Sequence, residues 1–222
     1  MALSHSPSLV MNGLVLCLDA GNSKSYPGSG TTWTDLSGTS NGTFGSSTQA
    51  PTYNSANGGS IVFGGVNDYA IVNDAASIRF GTGDYTLEVF VYATDITGGS
   101  NGRIMASKGF GGLEFVFYVG SLYITPPVIT AGSGWAANTW YHLVSSRLSG
   151  VQTSYKNAVS IRTTTTAVDI SFSGVPFVIG ARSSLAEGFF QGRIPVVRLY
   201  NRGLTQAEVS QNYNALKGRF SI

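Results

Sequence analysis

The sequence has little charge and few of the side chains that most often perform catalysis. Only 11% of its 222 residues are charged, against about 25% in an average globular protein, and it has one cysteine and two histidines. The formal net charge is +2, and the basic residues are scattered along the chain. Since binding to a phosphate backbone needs a basic patch, this distribution argues against a nucleic-acid partner.

The scarcity of cysteine and histidine excludes several kinds of site. Cys17 stands alone and cannot form an intrachain disulfide. Because it lies in the apolar run Leu14–Leu18, we expect a buried thiol. His5 and His142 are far apart, which disfavours a zinc or iron centre and a Ser-His-Asp triad. His142 lies in a strand-like segment, where we expect a structural role.

The sequence shows neither a targeting segment nor a membrane span. Met1–Pro7 lacks the positive charge and long apolar stretch of a signal peptide, and no run approaches about 18 apolar residues. We therefore expect a protein made in a reducing cytoplasm without a signal peptide. Residues 1–11 are predicted to form a short tail or docking arm. Residues 12–222 are predicted to form one domain, because no shift in composition marks a linker.

What the chain does contain is typical of an all-β protein. It has 29 glycines and is rich in Ser, Thr, Asn, Tyr, Phe and Val, which favours short strands joined by tight turns. Ser60–Phe63 and Tyr69–Val72 are predicted to form a hairpin, and Ala20–Asn57 a long loop with Trp33 as a buried anchor. The predicted strands are Leu14–Asp19, Ser60–Phe63, Tyr69–Val72, Tyr85–Tyr92, Arg103–Ser107, Leu113–Val119, Leu122–Thr125, Trp140–Ser146, Gln152–Lys156, Val159–Thr163, Phe177–Gly180 and Gln191–Tyr200.

The C-terminal region predicts one strand followed by one short helix. Alternation over Ile194–Tyr200 places Ile194, Val196, Arg198 and Tyr200 on one face. Thr205 and Glu208 have the spacing of a capping box, and Leu204 and Val209 that of a hydrophobic staple. Val209, Tyr213 and Leu216 continue an apolar stripe, and Gly218 is predicted to end the helix.

These segments, in this order, resemble the laminin-G-like branch of the concanavalin A-like jelly rolls. The resemblance is carried by Ser60–Tyr69, Tyr85–Val91, Ile104–Gly109, Trp140–Val144, Tyr155–Val159, Phe177–Arg182 and the C-terminal strand and helix. It spans about residues 12–216. It implies a two-sheet antiparallel jelly-roll sandwich with one short C-terminal helix.

A narrower resemblance concerns the N-terminal part of the domain. Asn12–Asn22 and Ser25–Gly38 are similar to modules of tailed-phage virion proteins. This similarity implies a place on the surface of a virus particle. Fold alone does not imply function, so we treat it as an expectation about context.

Glycoside hydrolysis is the enzymatic alternative, because laminarinase-type enzymes share this jelly roll. Such enzymes carry the motif Glu-x-Asp-x-x-Glu, or a close variant, on one strand. Alternation along that strand points both glutamates at the substrate. The present sequence contains no such motif. Glu88 and Glu114 stand singly in predicted strands, and we expect each to be a solvated glutamate on an outer face. The sequence therefore favours a protein that is not an enzyme.

The resemblance implies calcium as the one possible metal. Laminin-G relatives often bind calcium in loops at one rim, where oxygen ligands cluster. Here the corresponding loops, Gly109–Gly112 and Ala181–Ser184, lack acidic residues, and Arg182 would repel a cation. We assign no metal ligand. We expect Asp19, Asp35 and Asp68 to accept hydrogen bonds from turn N–H groups instead.

Binding is therefore the expected function. Aromatic side chains in or beside loops can stack on sugars, and on this ground Trp33, Tyr69, Tyr123 and Trp135 are the candidate glycan-binding residues. The first hypothesis is a non-enzymatic virion surface protein that binds neighbouring virion subunits and host glycans. Viral surface proteins are commonly cyclic oligomers, so a homo-oligomer such as a trimer fits this role. The alternatives are a free carbohydrate-binding lectin and a weak glycoside hydrolase.

Overall fold

The computed structural model describes residues 8–38, 40–99 and 101–222. In this part of the chain sixteen strands form two antiparallel sheets, followed by the helix α1 (Gln206–Phe220). The strands are β1 (Leu14–Asp19), β2 (Thr32–Trp33), β3 (Gly42–Phe44), β4 (Thr52–Asn54), β5 (Ser60–Gly64), β6 (Ala70–Val72), β7 (Tyr85–Ala93), β8 (Arg103–Lys108), β9 (Leu113–Tyr118), β10 (Ser121–Thr125), β11 (Ile129–Thr130), β12 (Thr139–Leu148), β13 (Val151–Lys156), β14 (Val159–Thr165), β15 (Phe177–Ile179) and β16 (Gln191–Tyr200).

The strand order defines a first and a second sheet. The first sheet runs β14-β13-β12-β7-β16-β5-β4, and β1 pairs with the C-terminal half of β16. The second sheet runs β11-β10-β9-β8-β15-β6-β3-β2. Alternate residues of both sheets meet in one continuous apolar core. The predicted all-β jelly-roll sandwich with one C-terminal helix is confirmed.

The prediction of a hairpin between the fifth and sixth strands is wrong. β5 pairs with β16 and β4 in the first sheet, whereas β6 pairs with β15 and β3 in the second. The chain therefore crosses from one layer to the other. Ile61 and Val72 are both buried in the core between the sheets. Alternation is the same whether two strands pair or face each other, so the sequence pattern could not distinguish the two.

A bulge in β16 corrects the predicted faces of that strand. The register shifts between Arg193 and Val196. Pro195, between them, has no N–H to donate to a neighbouring strand. Ile194 consequently belongs to the core between the sheets, whereas Val196 packs with Phe90 on the outer face of the first sheet.

Helix α1 lies on that outer face, begins as predicted and ends later than predicted. Thr205 and Glu208 form a capping box, and Leu204 and Val209 share one buried cluster. The helix continues past Gly218 to Phe220, and Ser221 adopts the left-handed conformation that ends it. The added turn places Phe220 against Phe90 and Trp140. This burial compensates for the low helix propensity of glycine.

The described end of the predicted N-terminal tail lies against α1. The backbone N–H of Val10 donates to Asn212 Oδ1, and Gln211 donates to the carbonyl of Ser8. Residues 1–7 of the predicted docking arm lie outside the described residues.

Candidate functional site

The second sheet carries an open groove on its outer face. Along β9 Leu113, Phe115 and Phe117 point into the core, so Glu114, Val116 and Tyr118 point outward, and on β10 Tyr123 and Thr125 do the same. The groove has a volume of about 400 Å³, within the range of ligand sites. Its lining residues are Asn101, Phe110, Gly111, Glu114, Val116, Tyr118, Tyr123, Thr125, Val128 and Arg182.

One end of the groove is aromatic. Ser121 lies opposite Tyr118 and Tyr123 opposite Val116 in the β9–β10 ladder, which makes the two tyrosines diagonal neighbours. Their ring centroids are 5.9 Å apart, with an angle of 64° between the ring planes. Both side chains are partly exposed, while Val116, which lies on β9 opposite Tyr123, is buried.

The other end has a polar floor built on Glu114. Its side chain is only 4% exposed. Oε1 accepts a hydrogen bond of 2.8 Å from Ser107 Oγ on β8 and lies 3.5 Å from Arg182 Nε. Within the described residues no hydrogen bond is made to Oε2, the second oxygen. A buried carboxyl with one free oxygen at the bottom of a groove is a ready hydrogen-bonding site for a ligand.

The environment of Glu114 raises the pKa of its carboxyl. Burial is the main cause, and it outweighs the opposing influence of Ser107 and Arg182. The protonated form, which can donate as well as accept, is therefore populated at a higher pH than for an exposed glutamate.

Arg182 closes the polar end and is held from two sides. Its Nη1 donates to Glu187, and the ring of Phe110 lies over the guanidinium with 4.9 Å from Cζ to the ring centroid. Phe110 is 75% exposed and Val128 70% exposed. Both line the groove, so its rim is apolar although its floor is polar.

Of the four aromatic residues predicted from the sequence, the groove contains Tyr123. Trp33 is fully buried beside Phe44, so it is the predicted loop anchor and its ring cannot stack on a ligand. Trp135 is 8% exposed and packs between Phe117 and Tyr141, where its indole N–H donates to the carbonyl of Ala131. The structure therefore places both tryptophan rings in core packing and outside the groove.

Tyr69, the fourth candidate, lies outside the groove. It is partly exposed, and its hydroxyl donates to Gln49 Oε1 over 3.2 Å. Sequence reasoning missed Tyr118, Phe110 and Arg182. The signal for Tyr118 was present, since Tyr118 and Tyr123 flank a short turn with the parity that places both on one face.

The prediction that Glu88 and Glu114 are solvated is also wrong. Glu88 lies on the outer face of the first sheet, but α1 covers it completely. Oε1 is 2.7 Å from His142 Nε2, Oε2 accepts from Asn212 Nδ2 at 2.9 Å, and Arg198 Nη1 is 3.3 Å from Oε2. Helix α1 thus separates Glu88 from any ligand, and His142 has the expected structural role.

The pKa values of the two buried glutamates are shifted in opposite directions. Burial by itself would raise the pKa of Glu88, but Arg198 and His142 more than offset it, and the pKa lies below the ordinary value. The pKa of Glu114 is shifted in the other direction. Arg198 lies 3.3 Å from Glu88 and is fully buried with it, whereas Arg182 is shared between Glu114 and Glu187.

The three loop aspartates accept hydrogen bonds from backbone N–H groups, as expected. Asp19 accepts from the N–H of Gly21, Asp35 from that of Cys17, and Asp68 from that of Gly64. Across residues 8–38, 40–99 and 101–222, no group of three or more His, Cys, Asp or Glu side chains could hold a metal ion. In the same residues no helix is long and apolar enough to span a membrane.

Solved structures with similar folds include proteins that act on or bind sugars. Trypanosoma rangeli sialidase in complex with sialic acid has a TM-score of 0.66 at 19% identity, covering 97% of this chain and 36% of that one. Domain 4 of an extracellular arabinanase from Geobacillus stearothermophilus, in complex with arabinotriose, has a TM-score of 0.67 at 17% identity, covering 90% of this chain and 98% of that one.

A third similar structure is the binding domain of Paraclostridial Mosquitocidal Protein 1, with a TM-score of 0.69 at 17% identity, covering 91% of this chain and 52% of that one. The present chain thus spans about a third of the sialidase and about half of the mosquitocidal protein chain. At these identities the likeness concerns the fold. No curated protein matches the sequence.

The sequence match to a known family covers residues 63–210, two thirds of the chain, from β5 to the start of α1. This stretch includes every strand that forms the groove. The chain belongs to the Concanavalin A-like lectin/glucanases superfamily.

Proposed function

We propose that this protein binds carbohydrate in the groove on the outer face of the second sheet. The observation that supports this best is Glu114, whose buried carboxyl leaves Oε2 unpaired at the floor beside Arg182. Oε2 is open to the groove, so a sugar hydroxyl can hydrogen-bond to it in place of water, and the buried Arg182 Nε beside it has no hydrogen-bond partner within the described residues. The aromatic end adds a surface on which a pyranose ring can stack.

The mixed character of the groove fits a sugar. One face of a pyranose is a patch of C–H groups, which packs on an aromatic ring, while its edge carries hydroxyls. Tyr123 and Tyr118 offer the rings, and Glu114 and Arg182 the hydrogen-bonding groups, along the same strand pair. The similar arabinanase domain was solved with arabinotriose, which agrees with this use of the fold.

The test is a glycan array followed by calorimetry on the glycans that bind. Tyr123→Ala should weaken binding about tenfold, because it removes a stacking surface. Tyr69→Ala is the matched control, since Tyr69 is a partly exposed tyrosine outside the groove. An array without any bound glycan, or equal losses in the two variants, would contradict the proposal.

We also propose that the groove binds without hydrolysing its ligand. Glycosidases generally need two carboxylates on either side of the scissile bond. Among the described lining residues Glu114 is the only acid, and Glu187 nearby is paired with Arg182. Release of reducing sugar from a β-glucan that disappears in Glu114→Gln would refute this. Glu88→Gln would not be an informative variant for that assay, because α1 covers Glu88.

We further propose that the protein is a virion surface component that binds neighbouring virion subunits, including copies of itself. The support is the resemblance of Asn12–Asn22 and Ser25–Gly38 to tailed-phage virion modules. Mass spectrometry of purified particles is the decisive experiment. Absence of the protein from particles would leave the alternative of a free lectin.

A further inference from the structure

The polar end of the groove, around Glu114 and Arg182, indicates which substituent a bound sugar would carry. We propose that it recognises an acetamido group, so that N-acetylated sugars are preferred over their hydroxyl parents. This inference rests on the proposed function and concerns the same site. It is drawn from three observations: an unpaired acceptor, a nearby unpaired donor, and an apolar rim beside them.

The donor and the acceptor are adjacent and fixed. Glu114 Oε2 makes no hydrogen bond within the described residues, and neither does Nη2 of Arg182, whose Nη1 is bound to Glu187. The two side chains approach to 3.5 Å. Ser107 orients Glu114, and Phe110 and Glu187 hold Arg182. A secondary amide offers the complementary pair, since its N–H donates to the carboxyl and its C=O accepts from the guanidinium.

The apolar rim favours an acetamido group over a pair of hydroxyls. Two neighbouring hydroxyls could also satisfy one donor and one acceptor, but they have no apolar group to bury. Phe110 and Val128, 75% and 70% exposed, lie at the rim of the same groove. Because Phe110 lies directly over the Arg182 guanidinium, an amide bound there would bring its methyl group close to the Phe110 ring.

The local charge disfavours the other common substituent, a sugar carboxylate. Arg182 already faces two acids, Glu114 at 3.5 Å and Glu187 in a hydrogen bond. An anionic ligand would have to displace Glu187 and approach Glu114 as well. A neutral amide meets neither obstacle.

Matched sugar pairs test this directly. Calorimetry should show that chitotriose binds at least about tenfold more tightly than cellotriose, which differs only in having hydroxyls for acetamido groups. Methyl N-acetyl-α-galactosaminide against methyl α-galactoside gives a second pair of another configuration. Preference for the acetamido member in at least one pair supports the inference.

Two variants test whether Phe110 causes the preference for the acetamido group. Phe110→Ala should weaken binding of the acetamido sugar more than binding of its hydroxyl parent, because the loss of the Phe110 contact to Arg182 affects both sugars, whereas the methyl contact is lost only for the acetamido sugar. Val159→Ala, an exposed apolar residue on β14, should change neither. If hydroxyl parents bind as tightly as acetamido sugars, or if array glycans bind but neither acetamido member does, the inference is wrong and carbohydrate binding stands. An empty array refutes the proposed function itself.

Discussion

At the scale of single residues, the fully buried ion pair of Glu88 and Arg198 is the most demanding feature of this protein. Both side chains are inaccessible to solvent. Arg198 Nη1 lies 3.3 Å from Glu88, yet no guanidinium nitrogen makes a hydrogen bond of normal geometry. Charges in such a place attract strongly but lose their hydration, so removing one of them is far more disruptive than never having had the pair.

Replacement of Arg198 should therefore be strongly destabilising. We expect Arg198→Met to lower the free energy of unfolding by about 3–5 kcal/mol, because it leaves the Glu88 carboxylate buried without its cation. Urea denaturation followed by tryptophan fluorescence measures this. Arg193→Met is the matched control on the same strand. Arg193 is partly exposed and lies over the Tyr92 ring, so its loss should cost no more than about 1 kcal/mol. Similar effects of the two substitutions would contradict this account.

At the scale of elements, α1 is attached by its first turn as well as by its buried face. Arg202 binds both carboxylate oxygens of Glu208 at 2.7 and 3.0 Å, and the N–H of Thr205 donates to the same carboxylate. Asn212, in the middle of the helix, reaches Glu88 and also the hydroxyl of Tyr200. Polar contacts therefore join the helix to the loop after β16 at its start and to the first sheet at its centre.

The capping glutamate makes helix stability depend on pH. The pKa of Glu208 falls from 4.5 to about 2, mainly because Arg202 hydrogen-bonds to its carboxylate. The hydrogen bonds from Thr205 lower it further. A lowered folded-state pKa means that the stabilisation is complete above pH 4.5 and is lost as the pH falls through about 2. Glu208→Gln mimics the protonated form, so it should cost about 1 kcal/mol at pH 6 and progressively less as the pH is lowered to 2, where about half of the native carboxyl is protonated. Urea titrations of both proteins at several pH values check this, and a difference independent of pH would contradict it.

At the scale of the whole molecule, the two outer faces of the sandwich are covered to different extents. The outer face of the first sheet is sealed by α1 over Glu88, His142 and Arg198. That of the second sheet remains open and contains the groove. Glu88 and His142 are thus buried in structural contacts, and the groove lies on the opposite side of the sandwich.

The lone thiol can report on opening of the whole sandwich. Cys17 is 4% exposed, and burial raises the pKa of its thiol. A small aromatic disulfide reagent should therefore label the native protein at least about a thousandfold more slowly than the urea-unfolded chain, since labelling requires unfolding. The unfolded chain is the control and should release one equivalent, matching its single cysteine. Rapid labelling of the native protein would show that β1 opens locally.

Local patterns in the sequence were sufficient for features that depend on neighbours in the chain. Alternation predicted most strands, Thr205 and Glu208 predicted the start of α1, and the apolar run around Cys17 predicted its burial. Each of these follows from side-chain periodicity or from groups a few residues apart. The same reasoning identified Tyr123 as a candidate, because its place near a turn is a local property.

Only the tertiary structure decided what depends on distant partners. Glu88 looks like any outward-facing glutamate until α1, more than a hundred residues later, covers it and Arg198 neutralises it. The helix turn beyond Gly218 was likewise decided by packing. The groove itself exists because β9 and β10 bring Glu114, Tyr118 and Tyr123 to one face, while the loop after β15 adds Arg182. Burial and charge pairing are properties of the folded surface, so no single segment could specify them.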